Sequence, residues 1–153
     1  MPTESQQKQK QLHETDYHLW VLETVKQLQN GEFEAIDWEN LIDEVSDLGR
    51  RDKQKLRSLL KRLVEHLLKL KYWQSQVNDN QAHWKTEILN FRQQLQDILE
   101  DSPSLKPYLK EVYPQCYQKG RKLASTASQL PLETFPQEPI APLDQVLDEN
   151  WLP

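Results

Sequence analysis

The sequence predicts an all-α protein: a bundle of four to five long amphipathic helices with a proline-rich C-terminal tail packed on it. Three observations carry that expectation. The stretch from Gly49 to Trp73 sets Leu56, Leu59, Leu60, Leu63, Leu67 and Leu70, with Val64 beside them, at steps of three and four. That spacing gathers them on one side of a helix of about 3.6 residues per turn. The 153 residues include only three glycines and few β-branched side chains, against abundant Leu, Gln, Lys and Glu, which lose little rotamer freedom in a helix. Shorter apolar stripes of the same period precede and follow the central one.

Taken in order, residues 1–13 are rich in Gln and Lys and have little to bury, so a disordered leader is expected there. A first helix starts near Thr15 as its cap, with Asp16 favourably placed for the helix dipole. Its apolar face is Tyr17, Trp20, Val21, Val25 and Leu28, and Asn30-Gly31 ends it, glycine being free to turn left-handed. Phe33 and Ile36 anchor a short connection. Asp37 caps a second helix with the stripe Leu41, Ile42, Val45 and Leu48. Gly49 reads as a break, with the basic helix restarting near Asp52; the alternative, a helix continuous through Gly49, costs only about 1 kcal/mol.

Beyond Trp73 the apolar pattern lapses at Val77-Asn78-Asp79-Asn80 and resumes with Trp84, Ile88, Phe91, Leu95 and Ile98. Ser102 followed by Pro103 is a helix-start signal, since proline at the first helical position loses no intrahelical bond. The last long helix offers Tyr108, Val112, Cys116 and Leu123, and Pro114 predicts a kink or irregular turn inside it. From Leu130 the texture changes: Pro131, Pro136, Pro139, Pro142 and Pro153 punctuate a segment with five acids and no base. Its apolar residues predict a strap over the bundle with one short helix near Leu143–Leu147. The expected organisation is a disordered leader at 1–13, a helical domain at 14–129 and the tail at 130–153.

The net charge is −5, which gives no whole-molecule attraction to nucleic acid or anionic lipid. The charges are strongly segregated. Residues 31–49 hold seven acids and no base, whereas residues 50–72 hold nine bases and two acids. Cys116 is the only cysteine, so an internal disulfide and a cysteine-rich zinc site are both excluded. The first residues lack the apolar core of a signal peptide, and no apolar run approaches the ~20 residues of a membrane span. A cytoplasmic protein is the expectation.

Several landmarks together resemble one family. They are Tyr17-His18-Leu19-Trp20, the run Asp37 to Arg50 (DWENLIDEVSDLGR), His66-Leu67-Leu68-Lys69 with Tyr72, Trp84-Lys85, and Asp101-Ser102-Pro103-Ser104-Leu105. Leu130-Pro131, Phe135-Pro136, Leu147-Asp148-Glu149 and Trp151-Leu152-Pro153 close the series. In order and spacing the chain resembles, from about residue 14 to its end, the bacterial and largely cyanobacterial domain of unknown function 29. The resemblance implies a helical fold and brings no established activity and no functional residues; Pro114 departs from its smoother helical pattern.

Among the residues themselves, His66 is the first candidate for chemistry. It sits beside the apolar face of the central helix, where a carboxylate such as Glu44 on a separate second helix would meet it, with Asp16 or His18 as further ligands or relay partners. A histidine with two or three carboxylates in a helical core is a divalent-metal site. The Glu-x-x-His pair usual in such proteins is missing, however, and a core-edge histidine bonded to one acid is the plainer reading. No cofactor is identified. The basic helix offers Arg50, Arg51, Lys55, Arg57, Lys61 and Arg62 as phosphate contacts, but the acidic total and the acidic neighbouring helix favour a solvated, salt-bridged face over RNA or DNA binding. Trp73 and Trp84 flank the Val77–Asn80 connection and offer an aromatic edge. With no nucleophile–base set convergent in sequence, the leading expectation is a non-catalytic interaction or regulatory domain, binding an unknown protein partner or itself. A metal-dependent protein centred on His66 and Glu44 is the rival, and nucleic-acid binding through residues 50–72 the third class.

Overall fold

A computed structural model describes all of residues 1–153. The chain is all-helical, with six α-helices and no strand, and divides into two compact units, Met1–Arg50 and Arg51–Pro153.

In the first unit, α1 spans Glu4–Thr15, where a disordered leader was expected. Local hydrogen bonding replaces the missing apolar burial. Thr3 Oγ1 accepts from the Gln6 amide at 3.1 Å, and Gln6 Oε1 accepts from the Thr3 amide at 3.0 Å, a reciprocal capping box. Gln9, buried, bonds Gln27 at 3.2 Å, and Gln6 Nε2 donates to the Glu34 carbonyl at 2.9 Å. Helix α2, Tyr17–Gln29, is capped by Asp16, whose Oδ1 accepts from the Leu19 amide at 3.1 Å; Thr15 belongs to α1 instead. Gly31 follows at φ +71°, the left-handed stop that the sequence marks. A 3₁₀ turn at Phe33–Ala35 leads on, with Ile36 fully buried and Phe33 exposed.

Helix α3 runs unbroken over Trp38–Tyr72, 35 residues and roughly 52 Å at 1.5 Å per residue. Asp37 caps it, accepting from the Asn40 amide at 3.3 Å. The break expected at Gly49 is absent. Glycine there costs about 1 kcal/mol, whereas a break would leave up to four amide hydrogens and four carbonyls without helical partners on its two sides.

In the second unit every residue of α3 from Leu63 to Leu70 is buried, so this stretch is the centre around which the other elements pack. Helix α4, Gln74–Asp101, begins directly after Trp73 and continues through residues 77–80. The lapse in apolar spacing there is a polar helical face and not a loop; Asn80 Nδ2 donates back to the Gln76 carbonyl at 3.0 Å. Ser102 closes α4 with its amide on the Ile98 carbonyl at 2.9 Å and makes no side-chain cap. A 3₁₀ turn at Pro103–Leu105 intervenes before α5, Lys106–Ser128, which passes through Pro114 without interruption. Gly120 lets α5 lie on α3: a Cβ there would sit 2.7 Å from the Lys61 carbonyl oxygen.

Residues 130–153 contain a 3₁₀ turn at Leu132–Thr134 and a short helix α6, Leu143–Leu147. Phe135 is fully buried, and Ala141, Leu143 and Val146 are buried. Six side chains of α4 and α5 donate to main-chain carbonyls of this segment: Arg92 to Val146, Gln96 to Leu147, Tyr113 to Ala141, Tyr117 to Pro136, Gln118 to Gln137 and Arg121 to Phe135. No helix of the chain is long and apolar enough to cross a membrane.

Candidate functional site

The first half of α3 is amphipathic in the opposite sense to the expected one. Ile42, Val45 and Leu48 are exposed at 60, 59 and 58%, while the polar Asn40, Glu44 and Asp47 are half-buried. Of the stripe read as core, only Leu41 is half-buried, and the other three residues face solvent. Trp38 is also exposed, as are Leu19, Leu22, Val25 and Leu28 of α2. Periodicity locates an apolar face but does not say what covers it.

Polar partners hold the other face of this half-helix. Glu44 Oε1 meets His13 Nε2 at 3.0 Å, and its Oε2 accepts from the Tyr17 hydroxyl at 2.8 Å. His13 stands edge-on to Tyr17 and Trp20, which stack on each other at 5.9 Å. This cluster was missed in the sequence because His13 was assigned to a leader without structure. Glu44 does not lie on a helix separate from that of His66. Both belong to α3, twenty-two residues apart in sequence, and each has partners of its own, His13 and Tyr17 for Glu44 and the Arg62 carbonyl for His66. Asp16 serves as the α2 cap and His18 is exposed. No group of three or more His, Cys, Asp or Glu side chains is placed to hold a metal ion.

His66 itself is 7% exposed. Its Nδ1–H donates to the Arg62 carbonyl at 2.8 Å, and its ring meets Phe91 edge-on at 5.1 Å. Burial, and then the charge of Lys69, hold its pKa below the ordinary histidine value, so the ring is neutral near pH 7. The buried neighbours form an ion pair, Lys69 Nζ lying 3.3 Å from Glu65 Oε2, with Arg62 at 3.7 Å from Oε1. Lys69 also stands 5.5 Å from the Trp84 ring centre, and Trp84 stacks on Trp73 at 5.5 Å with 25° between planes. The two tryptophans thus come together as an aromatic pair, with Trp84 itself buried. The Glu65–Lys69 spacing of four was visible in the sequence as a helical pair; that both charges are buried was not.

Some of the basic residues are paired with acids and others are not. Arg50 pairs with Asp47 at 3.0 Å and Arg62 with Glu65, while Arg51 and Lys55 are exposed. Arg57 and Lys61 line a cleft of about 240 Å³ together with Gln54, Ser58, Gln115, Cys116 and Lys119. No carboxylate lines it. Cys116 is buried at its floor, its thiol directed at the Arg57 carbonyl at 3.8 Å. Burial pushes the thiol pKa up, against the pull of Lys119, Arg57 and Lys61, which describes an inert neutral thiol and not a nucleophile. Lys119 and Gln115 escaped the sequence reading because they lie on α5, far along the chain from Arg57 and Lys61.

Arg92 was also missed. It is 1% exposed, with Nε donating to the Val146 carbonyl at 2.8 Å and one Nη without a hydrogen-bond partner. Burial lowers its pKa while Asp148 and Glu149 raise it, and a guanidinium stays charged throughout.

These features define an all-helical protein with an outward apolar face on one unit and, on the other, a buried ion pair and a small basic cleft. The chain belongs to the family described as Domain of unknown function DUF29, which matches residues 12–152. No curated protein and no solved structure matches it.

Proposed function

We propose that the protein is a non-catalytic interaction module and that the apolar face of Met1–Arg50 is its working surface. The observation that supports this is the inverted α3 half-helix, with Ile42, Val45 and Leu48 each more than half exposed while their polar neighbours turn inward. Apolar groups clustered at a surface mark contact sites far more often than isolated ones do. Fully covering one such side chain contributes about 1.5–3 kcal/mol, so a few together suffice for a specific contact. A photo-crosslinking residue at position 45, compared with one at exposed Glu111 on α5, tests the reading in cells. Protein adducts at 45 and none at 111 are expected; no protein adduct at 45 would overturn it.

A second reading rests on the cleft of Arg57, Lys61 and Lys119. Three cations without a carboxylate form an anion-binding environment, and phosphate groups of a nucleic acid strand are one class of ligand for it. Its test is titration with single-stranded RNA at rising salt. Affinity that falls steeply with salt and drops in K61Q/K119Q supports it, and affinity indifferent to both sinks it.

A further inference from the structure

We propose that the occupant of the apolar face is a second copy of this chain, paired antiparallel along the first half of α3 and crossing at Val45. The inference rests on the interaction reading above and names the partner.

Three features of α3 lead to it. The first is the stripe. At about 100° per residue, Ile42 and Leu48 flank Val45 symmetrically, about 60° to either side, and each is three residues away. A two-fold axis at Val45 therefore places Ile42 beside the partner's Leu48, and Leu48 beside the partner's Ile42. Such a face complements itself, which is what an isologous contact requires. All three side chains are exposed and free to be covered.

The second is charge. Residues 31–49 carry seven acids and no base, and residues 50–57 carry five bases and one acid. Parallel pairing would lay acid along acid. Antiparallel pairing sets the acidic start of each helix beside the basic stretch of the other, and charge complementarity of this kind fixes orientation and register.

The third is a specific pair. Glu39 and Lys53 lie on the same flank of α3, at about 120° and 80° from Val45. They stand six and eight residues to either side of it. The two-fold brings Glu39 within about two residue rises, roughly 3 Å, of the partner's Lys53 along the axis, twice per dimer. Glu39 is extended into solvent, its side chain 72% exposed even while it meets Lys10 at 2.7 Å.

Sedimentation equilibrium of the full chain over a wide concentration range tests the proposal. The expected result is a reversible monomer–dimer equilibrium. V45E should abolish the dimer while leaving the helical circular dichroism and melting of the monomer in place, because Val45 touches solvent and not core. E39K and K53E should each weaken association by about threefold or more, and the double exchange E39K/K53E should restore it. A wild-type chain that stays monomeric at hundreds of micromolar overturns the second copy as occupant. If position 45 still crosslinks to other proteins, the interaction reading survives that failure. Dimers that persist in V45E overturn the face. Failure of the double exchange to restore affinity overturns the antiparallel register, and does so without relying on V45E.

Discussion

Gly120 and Gly49 both sit inside helices, and replacing each with alanine should move stability in opposite directions. Alanine is the better helix former by about 1 kcal/mol, and that gain applies equally at both sites. At Gly49 nothing lies within 4 Å of the added methyl, so Gly49→Ala should stabilise by up to about 1 kcal/mol. At Gly120 the methyl would sit 2.7 Å from the Lys61 carbonyl oxygen and 2.7 and 2.8 Å from Val64 Cγ1 and Cβ. Neither neighbour yields readily. One is helix backbone, and the other is a β-branched side chain held to few rotamers in a helix. The helices must part, in an interior packed as densely as an organic crystal, and overpacking of this kind costs about 1–3 kcal/mol. Gly120→Ala should therefore be neutral to about 2 kcal/mol destabilising, and the two variants should differ by about 1–3 kcal/mol. Urea unfolding followed by circular dichroism reads the difference directly, because a slope of about 1–3 kcal/mol per molar urea turns it into a midpoint gap on the order of 1 M. Dilute protein keeps self-association from contributing. If Gly120→Ala proves as stable as Gly49→Ala, the close approach of α5 to α3 described above is wrong.

Three further outcomes follow from the same reasoning. His66 is held below its ordinary pKa of 6.5 by burial and by Lys69, against opposing pulls from the Arg62 carbonyl, Glu65 and Glu87; the unfolded chain then binds more protons below pH 6.5, so stability falls as pH drops through and below that value. His66→Gln should flatten the melting temperature between pH 7 and pH 5 relative to wild type, and an unchanged slope would count against a buried neutral ring. Phe135→Ala should cost about 3–5 kcal/mol, the usual loss for a fully buried phenylalanine, read as a shift in the urea midpoint; a loss under 1 kcal/mol would mean that the C-terminal segment does not pack as described. Asp37→Ala removes the α3 cap and should cost about 1 kcal/mol, with Asp37→Asn recovering most of it, since an amide oxygen also accepts the Asn40 amide hydrogen.

Helix content was legible because it rests on local chemistry. Asn30-Gly31, the Leu56–Leu70 stripe and the short helix at Leu143–Leu147 could all be read from spacing and turn residues. Two boundaries were misread because spacing was taken for structure. Gly49 looked like a stop, but one helical glycine costs less than two new helix ends. Val77–Asn80 looked like a loop, but a polar helical face gives the same lapse in pattern. The helix of residues 4–15 was invisible to any burial argument, since it is held by Thr3, Gln6 and Gln9 through hydrogen bonds. The candidate sites fared less well for a related reason. His66 was read beside the apolar face and is buried there, but its partners depend on how the helix is oriented. The stripe Leu41, Ile42, Val45 and Leu48 was read as interior, and only Leu41 is half-buried while the other three face solvent. Which of two faces meets the rest of the chain is decided by tertiary contacts, here by Glu44 meeting His13 and Tyr17, and these leave no periodic trace.

The side chains that clasp the C-terminal segment have a consequence for how that segment can change. Arg92, Gln96, Tyr113, Tyr117, Gln118 and Arg121 all take hold of carbonyl oxygens, a group every amino acid supplies. Proline surrenders its amide hydrogen and keeps its carbonyl, so the prolines here give up nothing that the donors use. Beyond the side chains it packs on the core, Leu130, Phe135, Ile140, Ala141, Leu143, Val146, Leu147 and Trp151, the segment is held by its backbone, much as a binding groove holds a peptide. Substitution at the exposed positions of the segment should then leave these hydrogen bonds in place, whereas loss of a donor on α4 or α5 removes one.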